Sequence, residues 1–377
     1  MNNCESPLPH ITPIIFTTPQ CNLACEYCYA GSAWTEQDIS NVQFDISFFQ
    51  NFIRQLMTYN NNQKTRIIFH GGEPLLLPIN FYKRCFSYIR DNDYPIEICL
   101  QTNGTLISKD LIELIKEYNV RLGISLDGPE YLHNITRKYK NGSGSFRKIF
   151  ENITDLKKAD INFGCLVTIN RSNIDHIKDI YEFFKKEHIP YNIRPIFKSK
   201  EDKIEKWLVT PEEYANAFCS IFDIWFEEES EEILVEEFAS LIAQFICPIE
   251  GLVSCAFSKT CNGHFISLDS KGNIYPCDRL YGEPAFLYGN INTEKLEDIM
   301  QSKKVMELSN RCKILQKNEC MNCEIFKFCY GGCPGNAYYY YDDYNSIDYY
   351  CSAYKRIISH VNAKIKSILP PSDSKND

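Results

Sequence analysis

Six short apolar segments recur through the first half of the chain, and helical stretches lie between them. The apolar segments, rich in β-branched residues, occupy 11–19, 65–73, 95–104, 121–128, 161–170 and 191–197. Helical periodicity appears near 45–60 and over 81–90, 110–118, 146–159 and 177–186. Strands that alternate with helices predict an α/β fold with a parallel sheet and right-handed crossovers. This number of units fits either an open doubly wound sheet or an incomplete barrel.

The second half of the chain has a different pattern. Residues 211–246 carry helical periodicity, whereas the region after about 250 is rich in Gly, Cys and Tyr and has little periodicity. Such a composition is typical of a region held by metal rather than by a large core. We therefore expect strand–helix units over 11–230, a helical bridge over 231–250, a cysteine-rich domain over 251–355, and a C-terminal helix with a disordered tail over 356–377.

The first four predicted strands end in distinctive residues. A loop with three cysteines follows the first strand, and the motifs HGGEP, QTNGT and SLDGP follow the next three. Ligands bind at the carboxyl ends of the strands in parallel α/β folds. These four strand ends therefore predict one shared site.

Charge and hydropathy narrow the range of partners. The 377-residue chain has a net charge of −9, so it offers no basic field to a polynucleotide, and we expect no nucleic-acid partner. Its apolar runs are far shorter than a membrane span, and its N-terminal residues lack the pattern of a secretory signal. We therefore expect no membrane partner and a cytoplasmic location.

Eighteen cysteines are many for a chain in a reducing compartment, where metal or cluster binding explains them better than disulfides. Three lie within 21–28, and eight of the nine over 255–351 form a second group. The remaining cysteines are more scattered, and we interpret them as ordinary thiols. They are Cys4, Cys85, Cys99, Cys165, Cys219, Cys247 and Cys312.

The loop CNLACEYC contains Cys21, Cys25 and Cys28, an odd number of ligands for a metal site. Three thiolates can bind three irons of a [4Fe–4S] cluster and leave the fourth iron open to a substrate or cofactor. A zinc site completed by a distant His or Cys, or three unrelated thiols, are the alternatives.

The run CNLACEYC resembles the CxxxCxxC signature of the radical SAM superfamily, including Tyr27 before the last cysteine. The resemblance implies that Cys21, Cys25 and Cys28 hold a [4Fe–4S] cluster whose open iron binds S-adenosyl-L-methionine. HGGEP resembles the family's GGEP motif, and QTNGT and SLDGP resemble strand ends that line its cofactor site. The implied fold is a partial (β/α)6 TIM barrel. The implied cofactor-binding residues are Tyr27, Gly71, Gly72, Glu73, Gln101, Asn103, Ser125, Asp127 and Arg137.

The later cysteines resemble the SPASM extension of peptide- and protein-modifying radical SAM enzymes. Its compact core, CMNCEIFKFCYGGC, has the spacing C-x2-C-x5-C-x3-C. Eight thiolates can ligate two auxiliary [4Fe–4S] clusters, with two zinc ribbons as the alternative. Spacing alone does not determine which cysteines share a cluster. Resemblance to the sulfatase-maturing members implies one set of Cys255, Cys261, Cys277 and Cys333, and another of Cys320, Cys323, Cys329 and Cys351.

Asp278 directly follows Cys277. Resemblance to the sulfatase-maturing members implies that Asp278 is the base that deprotonates the substrate, because a substrate radical must lose a proton as well as an electron. An aspartate that caps a turn is the alternative. The tyrosine-rich run 337–350 either lines a peptide groove or contributes only to surface and core.

These resemblances favour a maturase that uses a 5′-deoxyadenosyl radical to abstract hydrogen from a residue of a ribosomally made peptide or protein. The expected product is a cross-link. The alternative is an anaerobic sulfatase-maturing enzyme that oxidises Cys or Ser to formylglycine. A non-catalytic iron–sulfur carrier is a third possibility, and the three-cysteine loop beside GGEP argues against it. We also expect an electron donor such as flavodoxin or ferredoxin.

The sequence contains features on both sides of the choice between the two enzymes. The eight later cysteines, QTNGT, SLDGP and Asp278 favour sulfatase maturation, as does the short segment before the first strand, which is too short for a leader-recognition domain. Against it, Cys28-Tyr29-Ala30 and the run GGCPGNAYYY depart from the pattern of those enzymes.

Overall fold

All six predicted strands are present in the computed structural model, which describes residues 11–29, 45–228, 233–246, 255–259 and 265–368. They are β1 (Thr12–Phe16), β2 (Thr65–His70), β3 (Ile96–Thr102), β4 (Arg121–Ser125), β5 (Phe163–Ile169) and β6 (Tyr191–Pro195). Each strand lies within the apolar segment that predicted it. The apolar side chains of these strands are largely buried in one core, because their removal from water is the main favourable term in folding.

The order of the strands decides between an open sheet and an incomplete barrel. Strands β1 to β6 are neighbours in sequence order, and every adjacent pair is parallel. A doubly wound sheet instead reverses its strand order at a switch point. The partial (β/α)6 barrel is therefore confirmed.

The crossover helices cover the sheet, each with one apolar face. They are α1 (Ile46–Tyr59), α2 (Ile79–Asp91), α3 (Lys109–Tyr118), α4 (Glu130–Thr136), α5 (Phe146–Lys158) and α6 (Ile177–Glu187). In α3 the sequence sets both ends: Ser108 Oγ accepts a hydrogen bond from the N–H of Leu111, and Asn119 adopts the left-handed conformation. Helix α4 was not predicted, because seven residues are too few to show periodicity.

The long helical stretch predicted over 211–246 is two helices, α7 (Pro211–Glu227) and α8 (Glu236–Ile246). Between them, Val235 forms a parallel bridge with Tyr191, and the N–H of Ile193 donates to the Glu237 carboxylate at 3.0 Å. The helix is interrupted because this segment covers the otherwise unpaired edge of β6. Residues 229–232, between α7 and α8 in the sequence, lie outside the described residues.

The cysteine-rich region continues the same sheet. Strand β7 (Phe265–Leu268) pairs parallel with β1, and β8 (Asn273–Tyr275) and β9 (Gly289–Asn290) extend the sheet as antiparallel strands. The boundary predicted near 250 therefore does not separate two independent sheets.

Helices complete the C-terminal half. They are α9 (Leu296–Met300), α10 (Lys303–Ser309), α11 (Arg311–Lys317), α12 (Phe326–Cys329), α13 (Pro334–Tyr341) and α14 (Cys351–Ile368). Helix α14 packs against α7 and α8, and it begins at Cys351 rather than near 356. The predicted tail lies outside the described residues. Among the described helices, none combines the length and the apolar character needed to cross a bilayer.

Candidate functional site

A cavity of about 740 Å³ is lined by residues of both the barrel and the cysteine-rich region. Most of the sequence-predicted site residues line it: Cys21, Cys25, Tyr27, Cys28, Gly71, Gly72, Glu73, Gln101, Asn103, Ser125, Arg137, Cys255, Cys277, Asp278 and Cys333. The predicted residues Asp127, Cys320, Cys323, Cys329 and Cys351 do not line this cavity. Cys261 lies outside the described residues.

The three-cysteine loop is fastened to the barrel by its own backbone. The N–H of Ala24 donates to the carbonyl of Lys138 at 2.7 Å, and the N–H of Glu26 donates to that of Thr136 at 2.9 Å. Asn103, from the end of β3, lies beside the first thiol, with 3.8 Å between its Nδ2 and the Sγ of Cys21. Contacts within the protein therefore hold the loop in place independently of any ligand.

The two glycines of HGGEP allow β2 to approach the chain that leads into this loop. A Cβ on Gly71 would lie 2.5 Å from the carbonyl oxygen of Thr18, and one on Gly72 would lie 2.2 Å from that of Gln20. Gly71 also has a φ of +142°, which side chains disfavour. The close approach is thus to the protein's own backbone, and both glycines also line the cavity.

Glu73 uses its carboxylate inside the protein. It is fully buried and accepts hydrogen bonds from Thr102 Oγ1 at 2.6 Å, from the N–H of Asn103 at 2.8 Å and from the N–H of Leu75 at 3.0 Å. Burial raises the pKa of Glu73 to about 7, although these donors oppose the shift. Its carboxylate therefore fixes the ends of β2 and β3 against each other.

Asp127 orients two residues that line the cavity. Its carboxylate accepts a hydrogen bond from Arg137 Nε at 2.8 Å, another from the hydroxyl of Tyr27, and a third from the N–H of Thr168 at 2.9 Å. The guanidinium of Arg137 also lies 5.3 Å from the centroid of the Tyr27 ring. Asp127 and Arg137 are both buried, and a buried charge of either sign needs such a partner.

His133, which the sequence left without a role, supports this arrangement from behind. Its Nδ1 accepts the N–H of Asp127 at 3.3 Å, and its Nε2 lies 2.9 Å from Ser145 Oγ, which donates to the carbonyl of Arg137. Burial lowers the pKa of His133 to about 3, so the ring stays neutral at ordinary pH.

Gln101 and Ser125 complete the barrel side of the cavity. Gln101 Nε2 donates to Ser125 Oγ at 3.3 Å. A Cβ at Gly123 would lie 2.2 Å from the side-chain oxygen of Gln101, so this glycine makes room for the amide.

Cys255, Cys277 and Cys333 come together on the opposite side of the cavity. Burial raises the pKa of Cys277, and the neighbouring Asp278, Cys333 and Cys255 raise it further. Asp278 itself accepts a hydrogen bond from the hydroxyl of Tyr29 at 3.1 Å. Tyr29 directly follows the last cysteine of the first loop, so the two sides of the cavity meet at this contact.

The other four predicted auxiliary ligands form a separate group. Burial, followed by the neighbouring Cys351 and Cys323, raises the pKa of Cys320 to about 11. Burial also raises the pKa of Cys329 to about 12; the N–H of Gly331 opposes this shift, and Cys351, Cys323 and Cys320 add to it. The structure thus brings together the same four thiols that the resemblance placed in one set.

The donor sets suit the clusters that the sequence implies. Three thiols line one side of a cavity that has room for a further ligand, and seven others form two groups in the C-terminal half. Within the described ranges, no three carboxylate, imidazole or thiol groups converge as ligands of a single metal ion. A cubane cluster differs from a single ion because each thiolate binds a separate iron.

Two buried charges that the sequence did not single out connect the two auxiliary groups. Asp348 accepts a hydrogen bond from the N–H of Cys333 at 2.6 Å, and another from Asn336 Nδ2 at 3.0 Å. Arg311 donates to the carbonyls of Gly331 at 2.9 Å and Gly332 at 2.7 Å, and also to those of Tyr344 and Ser346. Together they fix the loop between Cys329 and Cys333. No local sequence pattern marks either residue.

The tyrosine-rich run packs within the C-terminal half. Tyr340 and Tyr349 stack with 3.5 Å between their ring centroids, and Tyr350 Oη donates to the carbonyl of Ile196 at 2.9 Å. None of the tyrosines of 337–350 lines the large cavity. Within the described residues, the run therefore contributes to packing rather than to the wall of the cavity.

Known proteins resemble the chain over almost its whole length. The model of the radical SAM superfamily matches residues 15–184, and that of the SPASM iron–sulfur cluster-binding domain matches residues 260–324. A serine-type anaerobic sulfatase-maturating enzyme of Bacteroides thetaiotaomicron is 29% identical, covering 90% of this chain and 86% of the relative. A cysteine-type enzyme of Clostridium perfringens is 26% identical, covering 92% of this chain and 95% of the relative.

A solved structure shares the fold. Hexahistidine-tagged anSMEcpe with bound AdoMet superposes with a TM-score of 0.82 at 24% identity, covering 96% of this chain and 95% of the other. At this identity the likeness establishes the fold alone.

Proposed function

Because the chain belongs to the radical SAM superfamily and carries the SPASM domain, we propose that it oxidises a cysteine or serine of a protein to formylglycine without using oxygen. The observation that carries the proposal is the position of Asp278. Its carboxylate lines the same cavity as the three-cysteine loop, adjoins Cys277, and accepts a hydrogen bond from Tyr29. A proton acceptor therefore lies where a substrate in this cavity would be oxidised.

The donor set on the barrel side suits the family's cofactors. Cys21, Cys25 and Cys28 would hold the first cluster, and the neighbouring cavity residues would surround S-adenosylmethionine: Gly71, Gly72, Gln101, Asn103, Ser125 and Arg137. When bound, these cofactors supply a 5′-deoxyadenosyl radical that removes one hydrogen atom from the substrate. Asp127 and Glu73 act indirectly in this arrangement, because their carboxylates are taken up by contacts within the protein.

Asp278 takes the proton that the chemistry must release. Removal of a hydrogen atom from Cβ leaves a carbon radical, which then loses one electron while the hydroxyl or thiol loses its proton. Serine gives the aldehyde directly. Cysteine gives a thioaldehyde, which water hydrolyses to the aldehyde with release of hydrogen sulfide. Tyr29 holds Asp278 in position through a neutral phenol, so the carboxylate keeps its capacity to accept a proton.

The two interpretations drawn from the sequence differ in their product. The relatives support sulfatase-type oxidation as much as cross-linking, and two of their subgroups are named for the two residues, serine and cysteine. Tyr29 belongs to the stretch that departs from the sulfatase-maturing pattern, yet its hydroxyl contacts Asp278. We therefore prefer formylglycine formation. We further propose that the protein works in a low-oxygen cytoplasm and receives electrons from a flavodoxin or ferredoxin.

Peptide oxidation in an anaerobic assay tests the proposal. The reconstituted protein, with reductant and S-adenosylmethionine, is offered peptides that carry Cys-x-Pro-x-Arg, Ser-x-Pro-x-Arg or an alanine control. Mass spectrometry should detect an aldehyde in the cysteine or serine peptide and none in the alanine peptide. Formation of 5′-deoxyadenosine with no aldehyde in either peptide would reject sulfatase-type oxidation and leave cross-linking as the interpretation to pursue.

The variant Asp278→Asn tests the base. Product formation should fall by about a hundredfold or more, the usual contribution of general base catalysis, while 5′-deoxyadenosine still forms. The matched control is Asp298→Asn, which changes an exposed aspartate of α9 and should retain full activity. A wild-type rate of aldehyde formation in Asp278→Asn would mean that another group accepts the proton.

A further inference from the structure

Arg279 lies between the cavity and the thiol of Cys333. Cys333 belongs to the first auxiliary group, which is Cys255, Cys277 and Cys333. Its side chain lines the cavity, and its Nη1 lies 3.6 Å from the Sγ of Cys333 and 2.9 Å from Asn336 Oδ1. The guanidinium also lies 4.5 Å from the centroid of the Phe197 ring. The planar cation is therefore held between an aromatic face and a sulfur atom, a geometry that suits arginine better than lysine.

The charges around Arg279 show what it compensates. Among the described residues, no carboxylate lies within ion-pair distance of its guanidinium. Burial disfavours its charge, and the groups whose negative forms would offset that cost are Cys333, Asp278, Cys255 and Tyr354. Arg194, a second arginine of the same cavity, differs because it pairs directly with the Glu237 carboxylate. Arg279 thus remains available to balance negative charge on the thiols.

We propose that Arg279 tunes the auxiliary cluster that Cys255, Cys277 and Cys333 would hold, raising its reduction potential. The proposal rests on the cluster assignment made under the proposed function. A cluster becomes more negative when it gains an electron, so a nearby cation and an N–H···S hydrogen bond both favour the reduced form. A higher potential makes this cluster a better acceptor for the electron that the substrate must lose beside Asp278.

The cations near the second auxiliary group, which is Cys320, Cys323, Cys329 and Cys351, differ from Arg279. The cation that acts most strongly on Cys351 is Lys355, whose side chain is exposed to solvent, and water screens such a charge. Arg311 is nearby, but its guanidinium donates to four backbone carbonyls. One group therefore has a cation in direct contact with a thiol, and the other has an exposed cation.

A redox titration followed by electron paramagnetic resonance tests the proposal. The protein is reconstituted in a background in which Cys21, Cys25 and Cys28 are alanine, so that signals of the auxiliary clusters are seen without the first. In Arg279→Gln, the ratio of reduced to oxidised cluster at a given potential should fall about tenfold for one cluster, equivalent to about 59 mV for one electron. Arg279→Lys retains the charge and should shift the ratio less.

Lys355→Gln is the matched control, because it removes one positive charge beside the other group. It should leave the Arg279-sensitive cluster unchanged. An unaltered midpoint in Arg279→Gln, with full iron content, would overturn the proposal. Loss of iron in both Arg279 variants would also overturn it, by assigning Arg279 a structural role. The titration uses no peptide, so its outcome is independent of whether an aldehyde forms.

Discussion

The barrel and the cysteine-rich half of the chain are organised by different interactions. In the barrel, the apolar faces of strands and helices form a continuous core, and buried charges such as Asp127 and Arg137 are added at its rim. In the cysteine-rich half, the loop that connects two groups of thiols is held by Arg311 and Asp348 through hydrogen bonds to the backbone. The apolar pattern of the barrel repeats along the sequence, whereas the hydrogen bonds of Arg311 and Asp348 follow no repeating pattern.

The largest expected effect is a complete loss of S-adenosylmethionine cleavage in a protein that still folds. Replacement of Cys21, Cys25 and Cys28 by alanine should abolish 5′-deoxyadenosine formation, because the three thiols are the proposed ligands of the first cluster. The barrel should still fold, since backbone hydrogen bonds fasten the loop. Chromatography of the nucleoside and circular dichroism measure the two outcomes. Cys312→Ala, outside the three groups of thiols, is the control and should form the nucleoside normally; residual nucleoside in the triple variant would contradict the assignment.

The next effect concerns the rim of the barrel. Arg137→Ala should reduce the free energy of unfolding by about 3–5 kcal/mol, because it leaves the buried carboxylate of Asp127 without its cation. Urea denaturation of the metal-free protein measures the loss. Arg147→Ala is the control: its ion pair with Glu130 is exposed, with 83% of the Arg147 side chain accessible, and should contribute less than about 1 kcal/mol. Equal losses in the two variants would mean that burial does not determine how much an ion pair contributes to the free energy of unfolding.

A smaller effect is expected in the cysteine-rich half. Asp348→Asn keeps the shape of the side chain but places an amide group among donors, so one buried N–H should lose its acceptor at a cost of about 1–3 kcal/mol. Iron bound per chain should fall, while helical content changes little. Asp342→Asn, at an exposed position of left-handed backbone that asparagine tolerates, serves as the control. Unchanged iron content in Asp348→Asn would show that the network is not needed to hold the thiols.

The last prediction concerns a gradual effect, a pH dependence of stability that belongs to the barrel. Because the pKa of His133 is about 3 in the folded protein and the ordinary value of 6.5 in the unfolded chain, the unfolded chain binds a proton first as the pH falls. The stability contributed by neutral His133 is therefore complete above pH 6.5 and is lost between about pH 6.5 and 3, by at most about 1.4 kcal/mol per pH unit. Urea denaturation of the metal-free protein across this range should show the slope. His133→Gln should flatten it, whereas His176→Gln, at an exposed histidine, should not.

The sequence predicted most of the repeating strand–helix units of the barrel. The six strands followed from their apolar, β-branched segments, and their arrangement as a barrel was implied by the resemblance of the motifs. The ends of the first four strands predicted one shared site, and the resemblance implied which residues lie in it. Helix α4 and the break between α7 and α8 were missed, since a helix of only seven residues shows no periodicity and the break serves the distant edge of β6.

The roles of individual polar residues were harder to predict. Glu73 and Asp127 were expected at the cofactor, yet their carboxylates bind neighbouring chain segments. Arg279, Arg311 and Asp348 were not singled out at all, because their partners lie far away in the sequence and no spacing rule connects them. Residue type and position along the chain predict which groups are near a site, whereas their partners depend on the tertiary structure.

The pairing of β7 with β1 also has a consequence for how the protein is made. Thr12 pairs with Phe265, so most of the chain must leave the ribosome before the outer edge of the first strand is covered. At ordinary rates of translation this takes on the order of ten seconds to a minute, during which an apolar edge strand is open to wrong partners. Contacts so distant in sequence also slow folding itself. Expression at lower temperature or with chaperones should therefore increase the yield of soluble protein, independently of iron supply.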